Sequence, residues 1–203
     1  MTSNVTTVNI SRRLARKATP RAYHHGGLRA AIVGTALDLI ERDGAAALSM
    51  REIARLNGVT APALYRHFPD RGALLEALAD EGLAMLALRQ KRAIRIPGRE
   101  GFAAIGRAYV RFALSRPELF RLIFTARGHS PGREVSPPAL LLAAQIESLA
   151  APQTSRRARR AAALRAWSLV HGLAMLLIDG QIDAARADDL IGDVISADSI
   201  KIA

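Results

Sequence analysis

The sequence predicts an all-α protein, and three observations carry that expectation. Alternating runs of β-branched residues are nearly missing, while Ala, Leu and Arg, all good helix formers, dominate. Apolar residues recur at helical spacing, as in Phe102, Ile105, Tyr109 and Phe112. Between these runs stand Pro, Gly and Asn-Gly breaks, together with the Ser, Thr and Asp residues that start helices. About nine helices follow: a small group of short helices near the N-terminus and a larger apolar set behind it.

The first helix is expected over about residues 28–42, behind Gly26-Gly27 and stopped at Asp43-Gly44, with Ile32, Ala36, Leu39 and Ile40 inward. Ser49 and Glu52 have the spacing of a capping box, which starts a second helix at Met50. Ile53 and Leu56 give it an apolar edge, and Asn57-Gly58 ends it because Gly tolerates the left-handed backbone of a sharp turn. Thr60 is an N-cap for the third helix, where Pro62 sits in the first turn and its missing N–H costs little. Leu64 and Phe68 anchor that helix inward. Ala61, Ala63, Arg66 and His67 are left for its outer surface. Pro69-Asp70 closes it, and Asp70 caps a long fourth helix over residues 71–93.

Further helices are expected over about residues 100–115, from Pro117 through Phe124, over 138–150, over 155–179 up to Gly180, and over 187–196. Residues 127–135 read as a loop. Two short helices joined by a glycine turn, spanning residues 49–71, have the layout of a DNA-reading helix-turn-helix.

Bulk composition agrees with that reading. The chain has 203 residues, 50% of them hydrophobic, enough for one large helical domain or a small domain fused to a larger one. Cysteine is absent, which excludes disulfides and thiolate metal sites and fits a reducing cytoplasm. The N-terminus is polar and then basic, unlike a signal peptide. The longest apolar stretch, residues 166–178, is interrupted by Ser168 and His171 and is too short to span a bilayer, so a soluble cytoplasmic protein with no membrane partner is expected.

The net charge of +11 favours anionic partners. No Asp or Glu precedes Asp38, whereas Arg12, Arg13, Arg16, Lys17, Arg21 and Arg29 do. Such an arm is placed to grip phosphates or enter a minor groove, and equally fits a solvated leader. Enzymatic chemistry finds no support: paired metal ligands, a phosphate-binding glycine loop and a Ser or Cys nucleophile motif are all missing. His24-His25 is a poor metal pair, since adjacent helical residues point apart and no carboxylate lies nearby in sequence. No cofactor is called for.

The chain resembles the tetracycline-repressor (TetR) family of bacterial transcription regulators. The resemblance rests on His25-Gly26-Gly27-Leu28-Arg29, Ala36-Leu37-Asp38-Leu39-Ile40, Gly44, Ser49-Met50-Arg51-Glu52-Ile53-Ala54, Gly58-Val59-Thr60, Leu64-Tyr65-Arg66-His67-Phe68 and Arg71 with Leu74-Leu75. Residues 116–124 and Trp167-Ser168-Leu169-Val170-His171-Gly172-Leu173-Ala174 are similar to a subgroup with a Trp…His-Gly signature. Arg71 stands where the family often has Lys. The resemblance implies a basic arm over residues 1–22, a reader domain over 23–70 and a helical ligand-sensing and dimerisation domain over 71–203. It also implies a homodimer through the last two long helices, and repression relieved by a small-molecule effector.

Two readers on a dimer require a palindromic double-stranded DNA operator, with half-sites about one turn of DNA, roughly 34–36 Å, apart or some multiple of it. Thr60, Ala61 and Ala63 are expected at base edges, where a methyl group meets a thymine methyl. Arg66 reaches either a base or a phosphate. By resemblance Tyr65, His67 and Arg71 contact phosphates; Tyr65 read alone also fits a packed aromatic, and His67 a solvated one. Ser49 and Arg51 are further phosphate candidates. For the effector, Phe102, Tyr109, Phe112, Phe120, Phe124, Trp167, His171 and Met175 either line a cavity or fill an ordinary core. Trp167 and His171 share a helix face, and His171 is either a core histidine or a ligand handle. Nonspecific or architectural DNA binding without a ligand is the alternative function; it leaves the large apolar half of the chain without a purpose.

Overall fold

The computed structural model describes residues 25–126 and 135–200. The basic arm, His24 of the His24-His25 pair and almost all of the 127–135 loop lie outside them. Among the described residues the fold is nine α-helices with three short 3-10 turns. The helices are α1 (His25–Asp43), α2 (Met50–Leu56), α3 (Ala61–Tyr65), α4 (Arg71–Ala93), α5 (Arg99–Ser115), α6 (Pro117–Thr125), α7 (Pro137–Leu149), α8 (Arg156–Ile178) and α9 (Ala187–Val194).

The short helices are held by their ends. The Ser49 hydroxyl accepts the Glu52 N–H at 3.4 Å, and the Thr60 hydroxyl accepts that of Ala63 at 3.4 Å. The Asp70 carboxylate accepts the Ala73 N–H at 2.7 Å and starts α4. Each bond satisfies one of the donors that a helix start leaves without a partner. Gly58 has φ of 66°, the left-handed conformation that the turn between α2 and α3 needs. Two expectations shift. The first helix begins earlier, at His25, and takes Gly26-Gly27 inside it. The third ends at Tyr65 rather than at Pro69, although Phe68 still donates to the Leu64 carbonyl at 3.1 Å and stays buried.

Beyond residue 70, Ser155 caps α8 as Asp70 caps α4, and the helices between them pack by burial alone. α5, α6 and α7 have no side-chain cap bond, while α5 buries Phe102, Ile105, Tyr109, Val110 and Phe112. α4 and α6 approach closely at Gly82, where a Cβ would lie 2.9 Å from the Ile123 side chain. By length and composition α8 is apolar enough to cross a membrane, contrary to the sequence estimate. Here, however, Ala162, Ala166, Val170, Leu173, Ala174 and Leu177 are buried, and α8 packs on α5 and α7.

The last helix, expected over about residues 187–196, runs from Ala187 to Val194, and α8 is the long helix before it. The tail folds back over the domain. Arg111 pairs with Asp188 at 2.8 Å, Arg99 with Asp198 at 2.7 Å, and Arg165 Nε donates to the Ile200 carbonyl at 2.9 Å.

Two apolar clusters result. The larger runs without a break from Leu28 in α1 through α4 and α6 to Ile195. The smaller joins Phe102, Ile146, Ala162, Ala166 and Ile200. The buried core therefore continues across residue 70, where a domain boundary was expected.

Candidate DNA-reading surface and effector cavity

α3 shows its faces plainly. Leu64 is fully buried, and Pro62, Tyr65 and Arg66 are exposed around the opposite side. Ala61 and Ala63, expected outermost, are half-buried. The reason is length: a five-residue helix lying on α1 and α2 has only one open side. Thr60 is exposed, and its hydroxyl oxygen already serves as the helix cap. Tyr65 is 45% exposed, so the packed-aromatic alternative falls. His67 and Ser49 are half-buried and Arg51 is exposed.

Charge on this surface is sorted by pairing. Asp43 and Glu52 meet Arg42 at 2.5 and 3.8 Å, Glu41 accepts the Leu119 N–H at 3.3 Å, and Asp70 caps α4. The Arg42 guanidinium holds Asp43 below the usual carboxylate range, whereas burial pushes Glu41 above it. The acids are thus occupied, and Arg51, Arg55 and Arg66 remain exposed without an ion pair among the described residues.

Arg71, the expected phosphate contact, is exposed, and its guanidinium bonds backbone carbonyls. Its Nε donates to the Leu48 carbonyl at 3.2 Å, and Nη2 to those of Ala45 and Ala46 at 2.5 and 3.2 Å. A planar guanidinium spans three carbonyls of the 3-10 turn before α2, which a single ammonium could not do. Two further ties were not legible in the sequence. The Asn57 amide donates to Thr35 Oγ1 at 3.1 Å and to the Ile53 carbonyl at 2.8 Å, fastening the turn to α1. Arg29 stacks over the Phe68 ring at 5.0 Å.

A cavity of about 320 Å³ lies in the larger half of the molecule, at the low end of the ~300–1,000 Å³ range of small-molecule sites. Its wall comes from α4, α5, α7 and α8, with Phe124 of α6 and Ile195 beyond α9. Phe102, Tyr109, Phe124 and Trp167 line it as expected. The other four candidates do not. Phe112 is buried further along α5, with Arg89 over its ring at 5.9 Å. Phe120 is fully buried, edge-on to Tyr109 and Phe124. Met175 packs against the larger core.

His171 supports the wall from behind: its Nδ1 lies 3.0 Å from the Tyr109 hydroxyl, and its ring contacts Phe120, Phe124 and Trp167. Burial lowers the His171 pKa and raises that of Tyr109, so the pair is uncharged at neutral pH.

The sequence reading missed Leu83, Leu86 and Gln90 of α4 and Pro138 and Leu142 of α7. One signal was present. Leu74, Leu78, Gly82, Leu86 and Gln90 follow each other at four-residue spacing, so a glutamine ends a buried stripe.

Residues 32–78 match the family model described as bacterial regulatory proteins of the tetR family, and residues 102–196 match the one described as a tetracyclin repressor-like C-terminal domain. The chain belongs to the TetR family of bacterial regulatory proteins. That membership places it among transcription regulators and not among enzymes.

The tetracycline repressor protein class C of Escherichia coli is 45% identical over 60 residues, 30% of this chain and 26% of that protein. The match thus spans about a quarter of that relative. A Rhodococcus sp. RHA1 protein of unknown function is 32% identical and superposes with a TM-score of 0.73 over 90% of this chain and 97% of its own. A TetR variant from Acinetobacter baumannii AYE in complex with minocycline is 23% identical, with a TM-score of 0.61 over 83% of this chain and 91% of its own. At that identity the likeness shows the TetR fold alone.

Proposed function

We propose that the protein is a ligand-responsive transcriptional repressor that binds a palindromic operator as a cytoplasmic homodimer and leaves it when a small molecule fills the cavity. The observation that carries this reading is α4. One helix of 23 residues begins at the Asp70 cap and the Arg71 tie of the reader and ends in the cavity wall at Leu83, Leu86 and Gln90. A second link runs through α6, whose Leu119 N–H is held by Glu41 of α1 and whose Phe124 lines the cavity. An effector that favours one placement of α4 and α6 would bias the angle of the reader, which is what coupling between two sites requires.

In the reader, Tyr65, Arg66 and Arg51 are the best phosphate contacts, with His67 and Ser49 at the edge. Thr60 and Pro62 present the front of α3 to base edges, with the half-buried Ala61 and Ala63 beside them. Arg71 holds the turn that aims α2. Dimerisation is assigned to α8, where Leu169 and Leu176, seven residues apart, lie exposed on one face. Apolar side chains on one face of a long helix suit a helix–helix interface.

Selection of binding sites from random duplex DNA tests the reading. An enriched palindrome with fixed half-site spacing is expected, with affinity lowered by Tyr65→Phe. Salt-sensitive binding with no enriched motif would replace the proposal with nonspecific DNA binding.

A further inference from the structure

The wall of the cavity states what the cavity can hold. Among the described residues, none that lines it is Asp, Glu, Lys, Arg or His. A charged ligand would shed its hydration with no counter-charge to receive it. The Tyr109 hydroxyl, kept protonated by burial, lies 3.0 Å from His171 Nδ1 and carries no charge to balance an anion.

Gln90 is different. It is 4% exposed and lines the cavity, and its Nε2 donates to the Ile105 carbonyl at 3.2 Å. That bond fixes which way round the amide sits, because the oxygen cannot donate to a carbonyl. The Oε1 atom is then a buried acceptor with no donor among the described residues. Buried acceptors are ordinarily paired, and an exception in a ligand wall marks a demand that the ligand can meet.

We propose that the cavity takes an uncharged, mainly apolar small molecule bearing one hydroxyl or N–H donor, and that Gln90 Oε1 accepts that donor. The inference rests on the reading of this cavity as the effector site and adds its ligand class. Ser136, half-buried in the wall, can either donate or accept and does not alter the demand at Gln90.

Three probes of one shape decide it: 4-butylphenol, 4-butylanisole and 4-butylbenzoate. They are titrated into the full chain near neutral pH and followed by calorimetry and by the fluorescence of Trp167, the single tryptophan, which lines the cavity. The phenol is expected to bind about tenfold tighter than the anisole, the size of one well-placed hydrogen bond, and the benzoate not at all. Gln90→Met, checked for its melting temperature, should leave anisole affinity within about twofold and abolish the preference for the phenol.

Equal binding of phenol and anisole by the unaltered protein would overturn the role of Gln90 while keeping the cavity as a ligand site; that comparison needs no variant to fold. A phenol preference that survives Gln90→Met would overturn it too. Tight binding of the benzoate would overturn the uncharged class. Failure of all three to bind would overturn the effector-cavity reading beneath the proposal.

Discussion

The reader and the sensor are built from the same kind of helix and held by different means. In the reader, α2 and α3 have seven and five residues, too few to be stable alone, and their N-termini are fixed by Ser49 and Thr60. Around them Arg71, Asn57 and Thr35 bond backbone and turn, and no wall residue of the cavity lies there. In the sensor, long helices rely on buried apolar area, and the two apolar clusters fail to meet. Leu86, Tyr109 and Val170 of one cluster and Phe102 and Ala166 of the other all border the cavity. A reading head has to keep one shape; a sensor has to keep room.

The largest expected effect is in the reader. Phe68 is 2% exposed, packed under Arg29, so Phe68→Ala should cost about 3–5 kcal/mol in chemical denaturation and abolish operator binding. A loss under about 1 kcal/mol would mean that the reader is not close-packed.

One substitution made in both halves comes next. Ala36 is fully buried in α1, and Ala36→Leu should cost about 1–3 kcal/mol by overpacking. Ala166 borders the cavity, and Ala166→Leu should cost less than about 1 kcal/mol while removing the binding of 4-butylphenol. Equal costs in thermal melts would erase the distinction between the halves.

Arg71→Ala should lower stability by about 1–2 kcal/mol, because three backbone carbonyls lose a charged donor that is itself exposed. The salt dependence of operator binding should hardly change, whereas Arg66→Ala should make its slope shallower by about one. A shallower slope for Arg71→Ala would return that residue to the phosphates.

The smallest effect is a pH dependence. Burial holds the His171 pKa below 6.5, so as pH falls through 6.5 the unfolded chain takes up the proton first and stability drops. The raised pKa of Glu41 acts in the opposite sense as pH falls towards 4.5, since there the folded chain binds the extra proton. Comparison with His171→Gln separates the two: the stability advantage of the unaltered protein should narrow between about pH 7 and 5.5. A constant gap would show that His171 is not the group responding.

Where function was legible in advance, the reason was local. The caps at Ser49, Thr60 and Asp70, the turn at Gly58 and the inward Leu64 and Phe68 depend on residues within four or five positions of each other, and the structure has them all. The cavity was half legible. Aromatic residues at helical spacing led to Phe102, Tyr109, Phe124 and Trp167, and equally to Phe112 and Phe120, which are core. A leucine beside a void and a leucine beside another leucine leave the same trace in a sequence, which is why Leu83, Leu86 and Leu142 went unseen.

By itself the sequence determined the helices, their starts and stops, the reading unit and the family, because capping, turn chemistry and hydrophobic period act between near neighbours. Only the tertiary structure decided that Arg71 grips carbonyls, that the C-terminal segment folds back onto α5 and α8, and that Gln90 keeps an oxygen unpaired among the described residues beside the cavity. Those outcomes depend on residues tens of positions apart meeting, or failing to meet, in space.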